Sequence, residues 1–289
     1  MAIICGKAIQ ELIPQCDPMI MIDTLFDATE LEAETGFSIA DDNLFCSDGL
    51  FTEPGLVEHI AQSASAFAGY KARLADKPTP LGLIGEVRKC RIYFLPRAGE
   101  KLRTHIRILS EALGVSLLVA DTKRNGEVVV QCQVKIYTQR RDTEAQSDTV
   151  VNTEGTEGRR EVIMGGYYII DSVMGEGDET IFCVTLLPDF CAYKGHFPGK
   201  PISPGVCNMQ MIKECAEQLA GQRLFLGYIA QCRFSAVITP QTTPHLRIRM
   251  QLSQADGLWK VKASVSDDTT NYIDFKGDLV TTASLPLHN

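Results

Sequence analysis

The order of apolar and polar positions occurs twice along this chain. Each half opens with an apolar, strand-like run that closes on Ile-Asp, at residues 19–23 and again at residues 167–171. Each half then reaches a Pro-Gly pair, at residues 54–55 or 204–205, after which apolar side chains recur every three or four positions. That spacing is typical of a helix that buries one stripe of its surface. The repeated order indicates two related halves.

Turn and strand signals complete each half. Both helical patterns reach Ala-Gly, at residues 68–69 and 220–221, where we expect the helices to end because glycine commonly follows a last helical turn. Only strand-like patterns follow, with hairpin signals at Asn-Gly 125–126 and Asp-Gly 256–257. A sheet of this kind has to bury its apolar face against the one helix available. The sequence predicts an α+β chain with two antiparallel sheets, each wrapped around a long central helix.

A polar segment separates the two halves near the middle of the chain. Between residues 140 and 161 only three side chains are clearly apolar, so the segment cannot bury enough surface to offset the cost of ordering it. We therefore expect a first domain over residues 1–139, a polar linker over residues 140–162 and a second domain over residues 163–289.

Length and composition agree with two globular domains. The chain has 289 residues, of which 45% are hydrophobic and 22% charged, and single domains most often have ~100–150 residues. No apolar run approaches the ~20 residues of a membrane-spanning helix, and the start of the chain does not resemble a secretory signal. A net charge of -8 argues against nucleic acid or anionic lipid as a partner. We expect a cytoplasmic protein whose ten scattered cysteines are reduced.

The most informative stretch is GHFPGKPISPG, at residues 195–205. It resembles the signature of the bacterial 3-hydroxyacyl-[acyl-carrier-protein] dehydratases, in which such a run leads directly into the central helix of a hotdog fold. The first half is similar more loosely, through LIPQCDPMIMID at residues 12–23 and VEHIAQSASAFAG at residues 57–69. The resemblance implies a double hotdog whose two repeats associate as an internal pseudo-dimer, with further homo-oligomers left open.

The motif contains residue types suited to the elimination of water from a 3-hydroxyacyl thioester. Such a reaction needs a base for the C2 proton, an acid for the departing hydroxyl and a donor to the thioester oxygen. His196 is the candidate base because the pKa of an unperturbed histidine lies near neutrality. Gly205 and Val206 begin the second helix, where free backbone N–H groups favour a negative oxygen. The remaining requirement is an acid.

The resemblance places the acid on the helix, six residues after Pro204, the last proline of the motif. The second half has Gln210 there, and an amide cannot donate a proton as a carboxylic acid does. In the family the acidic residue begins a Glu-x-x-Ala-Gln pattern, which the first half matches at residues 58–62 with Glu58 as the carboxylate, but its preceding loop, residues 44–53, has no histidine. Sites of the family take the histidine from one subunit and the carboxylate from its partner. The resemblance therefore implies one composite site, with Glu58 from the first domain and His196 from the second, and a vestigial site at Gln210.

The function implied is that of a 3-hydroxyacyl-[acyl-carrier-protein] dehydratase, a hydro-lyase. It would form trans-2-enoyl thioesters in fatty acid or polyene/polyketide-type biosynthesis. The implied partner is acyl carrier protein, whose phosphopantetheine carries the substrate, and proton transfer alone calls for no metal or other cofactor. Two alternatives stay open, a hotdog acyl thioesterase and a non-catalytic acyl-binding partner subunit of a dehydratase.

Two further side chains invite a catalytic interpretation. His59 adjoins Glu58 but points about 100° around the helix from it, so we expect an outward or interface residue rather than a second base. Cys207 lies just inside the second helix, whose dipole could favour a thiolate. Its neighbours are apolar and no base is adjacent, so we expect a buried structural thiol.

Overall fold

The computed structural model describes residues 2–139 and 166–282. The predicted linker, residues 140–162, lies outside the described residues, so both it and the domain boundaries drawn beside it stay predictions. Within the described part of the chain, no helix is long and apolar enough to cross a lipid bilayer.

Each half contains one long helix among antiparallel strands. The first half has the following elements in chain order: β1 Ile4–Cys5, a 3-10 helix Gly6–Leu12, β2 Thr24–Ala28, β3 Glu32–Ser38, β4 Cys46–Ser47, β5 Leu50–Phe51, α1 Glu53–Leu74, β6 Leu81–Ile92, β7 Lys101–Ala112, β8 Val115–Arg124 and β9 Glu127–Gln139. The second half has β10 Tyr168–Glu176, β11 Glu179–Leu186, α2 Ala192–Gly195, α3 Gly205–Ala220, β12 Leu224–Phe234, β13 His245–Ala255, β14 Leu258–Ser266 and β15 Asn271–Thr281.

The strands of both halves form one antiparallel sheet, so the prediction of two separate sheets is wrong. Thirteen strands follow the order β1-β2-β3-β7-β8-β9-β6-β12-β15-β14-β13-β11-β10, while β4 and β5 form a separate two-stranded sheet. The halves join where β6 pairs with β12, in a register that places Glu86 opposite Arg233 and Arg91 opposite Tyr228. β6 and β12, the first strands after the two long helices, would each lie at an edge of its own half. Their pairing covers both edges and joins the two halves in one sheet.

The long helices pack against the sheet and against each other. Helix α1 contacts strands β2, β3, β6, β7 and β9, and α3 contacts β12 and β13. An ion pair fixes the helices where they meet, because Lys213 Nζ lies 2.9 Å from both carboxylate oxygens of the fully buried Glu53. The backbone N–H of Leu226 also donates to Glu53, at 2.8 Å. These contacts tie the start of α1 to the second half.

Two sequence predictions about the first half need correction. Helix α1 does not end at residues 68–69 but continues to Leu74. Gly69 is instead a packing position, since a Cβ there would lie 2.0 Å from the carbonyl oxygen of Leu12. The apolar run at residues 19–23 is not a strand either, because β2 begins only at Thr24. Instead, the carbonyl oxygen of Met19 and the backbone N–H of Met21 form hydrogen bonds with the side chain of Gln62 in α1.

The second half follows its predictions more closely. Helix α3 ends at Ala220, and Gly221 adopts the left-handed conformation with φ 65°, as expected of a glycine that follows a helix. The two predicted hairpin turns are also confirmed. Asn125-Gly126 and Asp256-Gly257 have positive φ at both residues, the backbone shape that joins β8 to β9 and β13 to β14.

Candidate functional site

One cavity is built from both halves of the chain. It has a volume of about 260 Å³, and its wall includes Glu58 from α1, together with His196 and Gly205 from the second half. Small side chains along α1, those of Ala61, Ala64, Ser65 and Ala68, line the cavity beyond Glu58. The cavity is mostly apolar and has a few polar groups in its wall, as is typical of a small-molecule site.

Glu58 lies in the second turn of α1 with its side chain almost fully buried. Burial raises the pKa of its carboxyl group to about 7, and a hydrogen bond from Gln62 opposes part of that rise. Desolvation disfavours the charged carboxylate, whereas a donor favours it. A substantial fraction of Glu58 is therefore protonated near neutral pH, which suits a group that has to give up a proton.

Gln62, one helical turn after Glu58, fixes the orientation of the carboxylate. Its Nε2 donates to Glu58 Oε1 at 2.8 Å and also to the carbonyl oxygen of Met19. Its Oε1 accepts from the backbone N–H of Met21 at 2.7 Å. All three contacts are buried, so both ends of the amide are held and Glu58 has a fixed neighbour. The backbone of residues 19–23 thus holds Gln62 in place, and Gln62 in turn holds the Glu58 carboxylate.

His196 directly follows the short helix α2 and is also buried. Its Nδ1 lies 2.9 Å from the carbonyl oxygen of Ile202. A carbonyl can only accept, so Nδ1 carries the hydrogen and Nε2 of the neutral ring keeps the lone pair. Burial lowers the pKa of His196 to about 4, so the ring is neutral at pH 7. A neutral imidazole with a free Nε2 can act as a base.

The start of α3 also lies at the wall of the cavity. Gly205 is its first residue and lines the cavity, whereas the side chain of Val206 is fully buried one position further along. A Cβ on Gly205 would meet the ring of Phe234 at 2.9 Å, so glycine permits this close approach. The first N–H groups of a helix lack acceptors within the helix, which makes those of Gly205 and Val206 suitable donors to a substrate oxygen.

A second cavity holds the counterpart of Glu58. Gln210 lines a separate space of about 270 Å³, together with Phe45, Cys46 and Thr52 of the loop at residues 44–53. Its Nε2 donates to Glu214 at 3.0 Å. Gln210 and the histidine-free loop thus share a cavity, while His196 and Glu58 share the other, which is the pairing that the sequence predicted.

The two other candidates are structural. His59 is fully buried, so the expectation of an outward residue is wrong. Its Nδ1 lies 2.7 Å from the carbonyl oxygen of Met21 and its Nε2 lies 2.7 Å from the Thr104 hydroxyl, which leaves no ring nitrogen for a substrate. Cys207 is a buried thiol whose pKa is raised by burial first and by the nearby Glu58 carboxylate second. No group of three or more possible metal ligands occurs among residues 2–139 and 166–282.

Sequence reasoning missed two glutamines of the site. Gln62 follows Glu58 by four residues, a spacing that brings side chains together on one helix face, so its contact could have been predicted. Gln15 lines the same cavity, but it lies in a loop that no periodic pattern describes. Its place follows from tertiary contacts between the two halves.

Comparison with protein families divides the chain in the same way as its fold. Residues 7–148 match the model of ApeP-like proteins, described as ApeP dehydratase, and residues 172–272 match that of ApeI-like proteins, described as ApeI dehydratase. The chain carries ApeP-like and ApeI-like dehydratase domains in tandem. Glu58 therefore belongs to the ApeP-like domain, and His196 to the ApeI-like domain.

One curated relative of this chain is a 3-hydroxyacyl-[acyl-carrier-protein] dehydratase. The chain is similar to the 3-hydroxyacyl-[acyl-carrier-protein] dehydratase FabZ of Levilactobacillus brevis, with 33% identity over 98 residues. That match covers 30% of this chain and 64% of the relative, so it spans less than two thirds of the FabZ protein.

Similar solved structures indicate the fold of this chain, but at their low sequence identity they indicate nothing about its function. The acyl-CoA thioesterase II TesB2 of Mycobacterium marinum aligns with a TM-score of 0.52 at 9% identity, over 98% of this chain and 99% of that one. A hotdog-fold protein of Alicyclobacillus acidocaldarius aligns with a TM-score of 0.50 at 10% identity, over 89% of this chain and 94% of that one. The tandem ApeP-like and ApeI-like domains thus have the hotdog fold.

Proposed function

We propose that this protein dehydrates 3-hydroxyacyl thioesters carried on acyl carrier protein to trans-2-enoyl thioesters, at one composite site. The observation that carries the proposal is the shared cavity of His196 and Glu58, two buried side chains contributed by different halves. The dehydratase families matched by both halves, and the name of the FabZ relative, support the choice of reaction.

His196 acts as the base in this proposal. Its Nε2 takes the proton from C2 of the substrate, while its Nδ1–H continues to donate to the carbonyl oxygen of Ile202. That contact holds the ring in one orientation and favours the positive charge that develops on it. As the C2 proton leaves, negative charge moves onto the thioester oxygen. The backbone N–H groups of Gly205 and Val206 stabilise that oxygen.

Glu58 acts as the acid. Its protonated carboxyl group donates to the C3 hydroxyl, so that the C–O bond breaks with loss of water rather than hydroxide. A pKa of about 7 keeps a reservoir of the protonated form at physiological pH. After one turnover the proton from C2 resides on His196 and Glu58 is charged, so transfer of that proton through solvent restores the starting state. The reaction needs no metal or redox cofactor in this scheme.

The acyl chain lies along the small side chains of α1. Ala61, Ala64 and Ala68 leave room beside the helix, and their apolar methyl groups favour a hydrocarbon over water. The phosphopantetheine arm of acyl carrier protein would enter from the other end of the cavity. The second cavity, around Gln210, has neither a histidine nor a carboxylic acid in the matching places, so we propose that it is vestigial.

The thioesterase alternative has no independent support in the site. Thioesterases occur among the structural neighbours, but at about 10% identity they share the fold alone. An assay of turnover distinguishes the proposed enzyme from a non-catalytic acyl-binding subunit. Purified protein should convert a 3-hydroxyacyl thioester to its enoyl product, followed by the ultraviolet absorbance of the conjugated thioester, without release of free thiol.

A matched pair of glutamate variants tests the assignment. Glu58→Gln should lower turnover ~10²–10⁴-fold, the usual contribution of a general acid. The control is Glu214→Gln, because Glu214 is also a buried helical glutamate with a pKa raised by burial, yet it does not line the cavity of His196. We expect this control to keep turnover within about tenfold of the native rate. Equal losses in both variants, or a near-native Glu58→Gln protein, would contradict the proposal.

A further inference from the structure

Gln15 has a buried, unsatisfied hydrogen-bond acceptor beside the cavity of His196 and Glu58. Its side chain lines that cavity and is only 5% exposed. Among the residues that the structure describes, none donates a hydrogen bond to its Oε1. A buried polar atom without a partner destabilises the folded state, so native proteins rarely keep one unless it has a use.

The backbone around Gln15 connects the two catalytic candidates. The N–H of Cys16 donates to the carbonyl oxygen of Gly195 at 3.1 Å, directly before His196. The carbonyl oxygen of Cys16 in turn accepts from the N–H of Met19 at 2.9 Å. The Met19 carbonyl accepts from Gln62, which also donates to Glu58. Gln15 therefore directly precedes a residue, Cys16, whose backbone hydrogen bonds connect the loop before His196 to the segment that is bonded to Gln62.

The backbone of Cys16 packs closely against Gly195, in the loop that carries His196. A Cβ on Gly195 would lie 2.1 Å from the carbonyl oxygen of Cys16, so only glycine allows the two backbones to meet. Gln15 thus belongs to the first half but is held against the loop that carries His196. Its position in the cavity is set by backbone contacts rather than by its own side chain.

We propose that Gln15 Oε1 accepts a hydrogen bond from the 3-hydroxyl group of the substrate. An acceptor needs a donor, and a 3-hydroxyacyl thioester offers its 3-hydroxyl and the amide N–H groups of its pantetheine arm. When the hydroxyl donates its hydrogen to Gln15, a lone pair of the same oxygen is left to receive the proton of Glu58. The contact orients the leaving group for protonation. It also distinguishes a 3-hydroxyacyl chain from a saturated one. This inference rests on the proposed function.

The test measures binding of two ligands that differ only in the hydroxyl group. The probes are 3-hydroxyoctanoyl-pantetheine and octanoyl-pantetheine, titrated by calorimetry into the full chain carrying His196→Ala, which prevents turnover. Gln15→Met is added to that chain, since methionine is close to glutamine in size and lacks the amide. Gln210→Met is the matched control, because Gln210 Oε1 is also buried without a partner but lines the other cavity.

We expect Gln15→Met to weaken binding of the hydroxy ligand about 2- to 12-fold, the range of one net hydrogen bond. Binding of octanoyl-pantetheine should stay unchanged, and Gln210→Met should alter neither. An equal loss for both ligands would assign Gln15 to the pantetheine arm and overturn the inference, as would no loss for either. If the chain with Gln15 intact bound neither thioester, and the chain with native His196 formed no enoyl product, the proposed function would fail as well.

Discussion

The pH dependence of turnover should be controlled by Glu58 and be adjustable through Gln62. In the native protein Glu58 has to be protonated and His196 neutral. Their pKa values, about 7 and about 4, predict a plateau of turnover between these values and a fall above pH 7. At pH 8 only roughly one tenth of Glu58 would remain protonated, because each pH unit above the pKa lowers the protonated fraction about tenfold.

Gln62→Met removes the donor that stabilises the charged form of Glu58. Without it the pKa of Glu58 rises further, so the alkaline fall in turnover should move to higher pH. Hydrogen bonds to charged groups contribute about 1.5–3 kcal/mol, and 1.36 kcal/mol corresponds to one pH unit. The fall should therefore move by about one to two pH units. Relative to its own plateau, the variant should then be about five- to tenfold more active than the native protein at pH 8.

The assay is kcat for a saturating 3-hydroxyacyl thioester, measured from pH 5 to pH 9. Gln62→Met also leaves the backbone groups of Met19 and Met21 without their buried partner, so thermal unfolding is recorded alongside. Gln62→Glu is the second variant, since it keeps an acceptor for the Met21 N–H and should move the fall in the same direction. Glu214→Gln should leave the profile in place. An unmoved alkaline fall, or one displaced to lower pH, would refute the role given to Glu58.

Three further outcomes test the architecture. Gln210→Ala should change turnover by well under tenfold, since the loop opposite supplies no base; a ~10²-fold loss would place the working site in the other cavity. Gly195→Ala should lower the unfolding temperature and turnover, because its Cβ would overlap the Cys16 carbonyl, whereas Gly175→Ala, with open space around it, should do neither. Proteolysis between residues 141 and 159 should leave the halves associated on gel filtration, since β6 pairs with β12; separated halves would contradict the internal pseudo-dimer.

Local signals in the sequence predict where the two long helices begin and where the two hairpins turn. Hydrophobic spacing located the starts of α1 and α3, and the pairs Asn125-Gly126 and Asp256-Gly257 located the hairpins. The end of α1 could not be predicted, because Gly69 serves a contact with Leu12 that is 57 residues away in the chain. Glycine ends a helix in one context and allows close packing in another, and the sequence around Gly69 does not distinguish the two.

Contacts between segments distant in the sequence explain the other differences. The pairing of β6 with β12 merges the two sheets, and edge pairing leaves no pattern within either strand that periodicity would detect. His59 was expected on the outside because it adjoins Glu58, yet it is buried against the Thr104 hydroxyl of β7. The composite pairing of His196 and Glu58 was inferred from complementary losses in the two halves, and their shared cavity agrees with it. Their catalytic roles stay predictions.

The central claim is that His196 and Glu58 serve one reaction although they come from different halves. The decisive measurement is turnover of a 3-hydroxyacyl thioester by His196→Ala, Glu58→Gln and the double variant. Residues that act together are strongly non-additive, so each single change should cost ~10²–10⁴-fold and the double variant should be hardly slower than either. If the losses in the double variant multiply in full, the two residues act independently and the composite site is wrong.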